Sequence, residues 1–141
     1  MAIPVPKRPS GFTVGNTNAK VTVEVFLDIQ CPHSKQAWPV VCQLADHYKD
    51  GSVSVTVHML TLSNHRQAWD MSLGLFAIAA NDAKVFFDFV SYIYARQDQF
   101  YNAPFEHKTH NDLRQLVADF AVAHAGVERN WVLKRMADDD V

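Results

Sequence analysis

The hydrophobic pattern of the chain changes period several times. "VTVEVFLDI", Val21–Ile29, is short, β-branched and aromatic, which predicts a central strand. From Cys31 to Asp50 the apolar positions recur every three or four residues, at Trp38, Val41, Cys42, Leu44 (or Ala45) and Tyr48, which predicts a helix. Pro32 stands where a first helical residue tolerates proline, because that N–H would lack an intrahelical partner anyway. Gly51 is a stop signal, and Pro39, inside the helix, removes a hydrogen bond and predicts a kink. Ser52–Leu60 alternates Val53, Val55, Val57 and Met59 against Ser54, Thr56 and His58, a clear period-2 strand. Strand, helix and strand of these lengths make a βαβ unit with a right-handed crossover and a parallel strand pair.

Beyond Asn64 the period is helical. Ala68–Ala80 carries Met71, Leu75, Ile78 and Ala79 on one side. Asp82 is placed to cap Ala83–Gln97, whose stripe is Phe86, Phe89, Val90, Ile93 and Tyr94. Tyr101–His110 reads as a loop. Thr109 caps a third helix with Asp112 in its first turn, Leu113, Leu116, Val117 and Phe120 as its stripe, and Gly126 as its stop. Val127–Ala137 is a last short helix. At the other end Met1–Ser10, with Pro4, Pro6 and Pro9, reads as an extended arm, and Gly15–Lys20 as a turn. The expected organisation is one domain over residues 1–141: an extended arm at 1–14, a βαβ unit at 15–62 and a helical subdomain at 63–141. Two strands make a poor core by themselves, so helices must cover them or another chain must complete the sheet.

Composition narrows the function classes. The 141 residues are 48% hydrophobic and 20% charged, an ordinary globular balance. A formal net charge of −2 supplies no bulk basic field for nucleic acid and no polybasic arm for a membrane surface. No apolar run approaches the ~20 residues that span a bilayer. The prolines of "MAIPVPKRPSGF" break any continuous apolar segment of the signal-peptide kind, so a cytoplasmic location is expected. Cys31 and Cys42 both fall in the first helix. Eleven residues at a ~1.5 Å rise put them ~16 Å apart, beyond the ~7 Å Cα limit for a disulfide. Two such thiols fit a reducing compartment.

The chemistry concentrates at Cys31. A cysteine at the first turn of a helix faces unpaired N–H groups and the positive end of the dipole, and both favour thiolate over thiol. His33 adds a side chain that is cationic when protonated. Cys31 is therefore expected to be nucleophilic, whereas Cys42, on an apolar helix face, reads as a small hydrophobe.

"FLDIQCPHSKQAWP" resembles the active-site strand and helix of a thioredoxin-fold protein of the DsbA-like branch, which typically carries Cys-Pro-His-Cys at this point. "GNTNAKVTVEVF" is similar to that family's approach to its first active-site strand, and the Cys31–Pro39 spacing is the thioredoxin-fold spacing. The stretch from Leu62 to Tyr101 is similar to the helical insertion of the DsbA-like branch. The resemblance implies an α/β fold, a thioredoxin-like βαβ unit with a DsbA-type helical insertion, and a catalytic motif at Cys31, Pro32, His33 and Ser34. It implies protein or peptide thiols and disulfides as partners, with no cofactor beyond glutathione as an external thiol.

Two departures qualify it. Ser34 replaces the family's second cysteine, natively or by an engineered change, so a mixed disulfide at Cys31 has no internal thiol to release it; monothiol exchange remains. No proline follows Pro104, so the family's cis-proline loop, later strands and last helix are expected to be missing, leaving an open strand edge for a second copy or a partner chain. The family's buried acid, six residues before the first cysteine, is matched by Val25; Glu24 and Asp28 flank it with unassigned facing.

Other constellations are weaker. Glu106, His107, His110 and Asp112 lack the HExxH spacing and read as a solvated loop. His65 is expected to cap or pack, and Trp38 to pack behind Cys31. Phe86, Phe87, Phe89, Tyr92 and Tyr94 are too dense for one helix face, leaving an excess for an interface. A serine at the first motif position would have suggested a kappa-class glutathione transferase; Cys31 occupies it instead. Two readings stand: a thiol–disulfide oxidoreductase-type enzyme acting through Cys31, and a non-catalytic thioredoxin-fold binding or scaffold domain, as a dimer or a subunit.

Overall fold

A computed structural model describes residues 11–48 and 50–137. In chain order the elements are β1 (Phe12–Gly15), β2 (Val21–Leu27), α1 (Pro32–His47), β3 (Val53–Met59), α2 (Ala68–Ala79), α3 (Ala83–Tyr94), α4 (His110–Ala125) and α5 (Arg129–Arg135). Two 3-10 turns, Gln97–Phe100 and Ala103–Phe105, join α3 to α4.

The βαβ unit forms as its periodicity dictates: β2 and β3 run parallel, Val21 opposite Val53 and Leu27 opposite Met59. The count of two strands is corrected. Phe12–Gly15, its first three residues assigned above to an extended arm and its last to a turn, pairs antiparallel with β3, so the sheet order is β1-β3-β2. Three residues between two glycines carry too little alternation to announce a strand; pairing along β3 creates it. Gly15 has φ of +93°, and a Cβ there would stand 2.6 Å from the Val53 carbonyl oxygen, so the turn out of β1 requires glycine. The expected arm at Met1–Ser10 lies outside the described residues.

Strand alternation places Phe12, Val14, Val23, Val25, Val55 and Val57 on one face of the sheet. Against this sheet α1 packs on β3 and α3 on β1. The opposite face is hydroxyl-rich, with Thr13 bonded to Thr56 at 2.8 Å and Thr22 to Ser54 at 3.1 Å. Phe26, 59% exposed, stacks there on His58.

The helical unit packs around α2, which touches α3, α4 and α5. Gly74 lets α2 and α4 approach, since a Cβ there would overlap the Val117 side chain. The dense aromatics of α3 are consumed internally. Phe86, Phe89 and Tyr94 are buried, Tyr92 packs against them, and Phe87 lies against Trp38. The punctuation reads as expected: the Asp82 carboxylate accepts from Val85 N–H, Thr109 and Asp112 form a reciprocal capping box, and Gly126 closes α4 in the left-handed region. Helix α1 runs through Pro39 to His47. Helix α3 stops at Tyr94, three residues before the expected end, because Gln97 turns inward.

Candidate functional site

The four motif residues lie at the C-terminal end of β2, where the chain enters α1. Cys31 is the N-cap, with extended backbone (φ −75°, ψ 123°), and Pro32 is the first helical residue. The first intrahelical bond runs from Lys35 N–H to the Cys31 carbonyl at 3.1 Å. Because Pro32 has no N–H, the orphan donors of the first turn are those of His33 and Ser34, the pair an N-cap side chain faces. Cys31 is the N-cap by its backbone, and its side chain makes no capping hydrogen bond. Cys31 and Ser34 are half-buried, and Pro32 and His33 are exposed.

The loop before Cys31 is held by buried polar side chains, and the first is Asp28. It is 2% exposed, with its Oδ1 accepting the N–H groups of Gln30 (2.7 Å) and Cys31 (3.0 Å) and its Oδ2 that of Leu62 (2.7 Å). His65 Nδ1 lies 3.1 Å from the same Oδ2. Asp28's own N–H donates to Ser34 Oγ at 3.2 Å, and its carbonyl accepts from the Tyr94 hydroxyl at 3.3 Å. Ser34 is thus an acceptor for the loop that precedes Cys31. Burial pushes the Tyr94 phenol well above its ordinary range, with the Ser34 hydroxyl opposing and the charges of Asp28 and Cys31 adding to the rise.

Two glutamines complete the cradle. Gln97, fully buried, donates from Nε2 to the carbonyls of Ile29 and Cys31, each at 3.0 Å, and its Oε1 accepts from the Tyr101 hydroxyl at 2.6 Å. Gln30 donates to Gln67 Oε1 (2.9 Å) and Asn102 Oδ1 (3.0 Å), and its own oxygen accepts from Gln67 N–H (2.9 Å). Asn102 closes the network on the Asn64 carbonyl at 2.9 Å. Strand end, β3–α2 connection and α3–α4 connection therefore meet on one loop.

Reading the sequence missed Gln30, Gln67, Tyr94, Gln97, Tyr101 and Asn102 as site residues. Uncharged amides and phenols carry no motif; only their burial reveals them. Of the two acids left open, Asp28 turns inward to the loop, whereas Glu24 is exposed and lies 3.7 Å from His58 across the strands. Trp38 packs as expected, donating to Ser91 Oγ at 2.8 Å. His65 belongs to the site through Asp28, beyond the capping or packing role expected for it. His110 pairs with Asp70 at 2.7 Å and Asp112 accepts from Thr109, so these two residues of that loop have structural partners. Both cysteines are free thiols. Burial pushes the Cys42 thiol up, the charges of Asp46 and Asp88 add to the rise, and Ser91 opposes it.

Solved structures share this fold. A Pseudomonas syringae protein described as a protein-disulfide isomerase superposes with a TM-score of 0.74 at 16% identity, over 92% of this chain and 72% of that one. BdbD from Bacillus subtilis gives 0.68 at 19% identity, over 89% of this chain and 65% of that one. The thiol-disulfide exchange protein alpha-DsbA2 from Wolbachia pipientis gives 0.65 at 19% identity, over 92% and 61%. The chain thus spans roughly two thirds of the length of these proteins, and at such identities the likeness concerns the fold: a thioredoxin-like α/β fold of DsbA type. A search of curated proteins finds no match. A family model described as thioredoxin, however, matches residues 7–140, and with nearly the whole sequence inside it, this chain belongs to the thioredoxin family.

Proposed function

We propose that the protein is a DsbA-like thiol–disulfide exchange protein that works through Cys31 alone. The observation that carries this is the seat of Cys31: a partly exposed N-cap residue at the start of α1, with its own N–H taken by Asp28 and its carbonyl by Gln97. Backbone groups that would otherwise shift with the reaction are already bonded, so the thiol is presented in a fixed place.

The reaction needs one sulfur. The Cys31 thiolate attacks a protein or peptide disulfide, forms a mixed disulfide and expels the partner sulfur as a thiolate, which takes a proton. An external thiol such as glutathione then attacks the substrate sulfur of that bond, leaving as a substrate–glutathione disulfide and freeing Cys31. A second glutathione releases the substrate thiol as oxidised glutathione, so two electrons from two thiols reduce one disulfide. Ser34 cannot shortcut the cycle, because a hydroxyl does not attack the mixed disulfide; it accepts from Asp28 N–H.

Iodoacetamide labelling with mass-spectrometric readout tests the proposal. Cys31 is expected to react about tenfold or more faster than an unstructured cysteine near neutral pH, and Cys42 more slowly than one. With oxidised glutathione, Cys31 should hold one glutathione until an external thiol is added, and Ser34→Cys should release it internally. Labelling of Cys31 at the unstructured rate would overturn the proposal.

A second reading, a non-catalytic binding or scaffold domain, draws on the sheet edge. The outer edge of β2 has no partner strand among the described residues, and Val21 is 52% exposed. Light scattering separates the two: a monomer with Cys31 exchange favours the enzyme, and a stable dimer without exchange favours the scaffold.

A further inference from the structure

The contact between His65 and Asp28 adds no hydrogen bond to the loop. Asp28 already accepts three backbone N–H bonds, and acceptance of all three is what an ionised carboxylate does. His65 Nδ1 is buried, 3.1 Å from Asp28 Oδ2, yet out of line for a hydrogen bond. The charge of the imidazole ring decides whether the pair is neutral or carries a net negative charge. The side chains are 14% and 1% exposed, so water screens the pair weakly. The same carboxylate bonds Cys31 N–H at 3.0 Å, which sets a fixed negative charge next to the thiol.

Resting on the exchange activity proposed above, we infer that His65 is a positioning residue whose charge, by neutralising Asp28, sets how readily Cys31 becomes a thiolate. With His65 cationic the Asp28 charge is cancelled and the thiolate is tolerated; with His65 neutral, two anions would share one buried corner. The other titratable groups here are Tyr94 from α3, held neutral by burial, Tyr101 beyond Gln97, exposed His33 on the first turn of α1, and Arg66, exposed beside His65. None of these approaches Asp28 as a second buried cation.

The test compares the pH profile of Cys31 alkylation, from pH 5 to 9, in the unmodified chain, His65→Gln and His65→Lys. In His65→Gln the rate below neutral pH is expected to fall roughly three- to tenfold, with the profile reduced to one step. His65→Lys should keep the fast rate and extend it to higher pH, which a purely structural histidine would not do. A second measurement needs no variant: the ring-proton NMR titration of His65 in the unmodified chain, with Cys31 free and with Cys31 capped as an S-methyl disulfide. Removing the thiolate should move the His65 midpoint down, by the reciprocity of linked binding. Superimposable alkylation profiles in three folded proteins, or a His65 midpoint that ignores the cap, overturn the inference. A Cys31 that labels like an unstructured cysteine while His65 still senses the cap overturns the exchange activity and keeps the coupling.

Discussion

The two halves of this molecule are held by different forces. The helical unit is an apolar solid: Phe86, Phe89, Phe100, Met71 and Leu75 are fully buried, and Phe12 from the sheet stacks on Phe86 at 4.0 Å. The loop before Cys31 is equally buried, but its partners are amides, a carboxylate and phenols. Apolar packing is non-directional and tolerates small adjustments through rotamers. A hydrogen-bonded cradle fixes orientation, because each donor has one acceptor and a lost partner leaves a buried polar group behind. A reactive sulfur needs direction more than it needs burial. The molecule keeps its bulk stability in the helices and its geometry in the polar loop.

The largest effect should come from the apolar half. Phe86→Ala opens a cavity between α3 and β1 and should cost about 3–5 kcal/mol in chemical denaturation. If the comparison holds, the alkylation rate of Cys31 in the remaining folded protein stays within twofold of the parent. A large change in that rate would mean that the packing also orients the thiol.

Gln97 sharpens the comparison from the other side. Gln97→Ala frees two buried carbonyls, those of Ile29 and Cys31, and should cost about 1–3 kcal/mol. Here the Cys31 rate should change although the stability loss is smaller than for Phe86→Ala. Gln97→Glu keeps the shape but removes both donors, and when ionised it should be the more damaging of the two. An unchanged Cys31 rate in both variants would show that the cradle is only structural.

The smallest effect concerns Tyr94, which belongs to both halves. Burial raises its folded-state phenol above the unfolded value of about 10, so the fold binds this proton more tightly than the unfolded chain does. Its contribution to stability is complete below about pH 10 and declines as pH rises beyond it. Tyr94→Phe should cost about 1 kcal/mol at neutral pH, from the bond to the Asp28 carbonyl, and should flatten the alkaline decline in melting temperature. An alkaline decline that is unchanged in Tyr94→Phe would assign it to other groups.

Much of the fold could be read from local signals. The valine alternation of β3, the Pro32 start of α1, the Asp82 and Thr109 caps and the Gly126 stop each depend on residues within one turn or one strand. The motif at Cys31–Ser34 was legible for the same reason, since the junction of strand and helix is itself local. β1 was not, because a four-residue strand exists through its pairing with β3, about forty residues away.

The sequence by itself determined a βαβ unit, a helical subdomain and a thiol at a helix N-terminus, because periodicity and capping are short-range. Only the tertiary structure decided what surrounds that thiol. Gln97 lies 66 positions from Cys31, and the Tyr94 hydroxyl reaches the same loop across a similar separation. Likewise, sequence left Asp28 and Glu24 equivalent, one position apart from Val25 or a few beyond it. Folding buried one carboxylate under three N–H groups beside His65 and left the other at the surface, because side-chain solvation is settled by which distant segments close over a position.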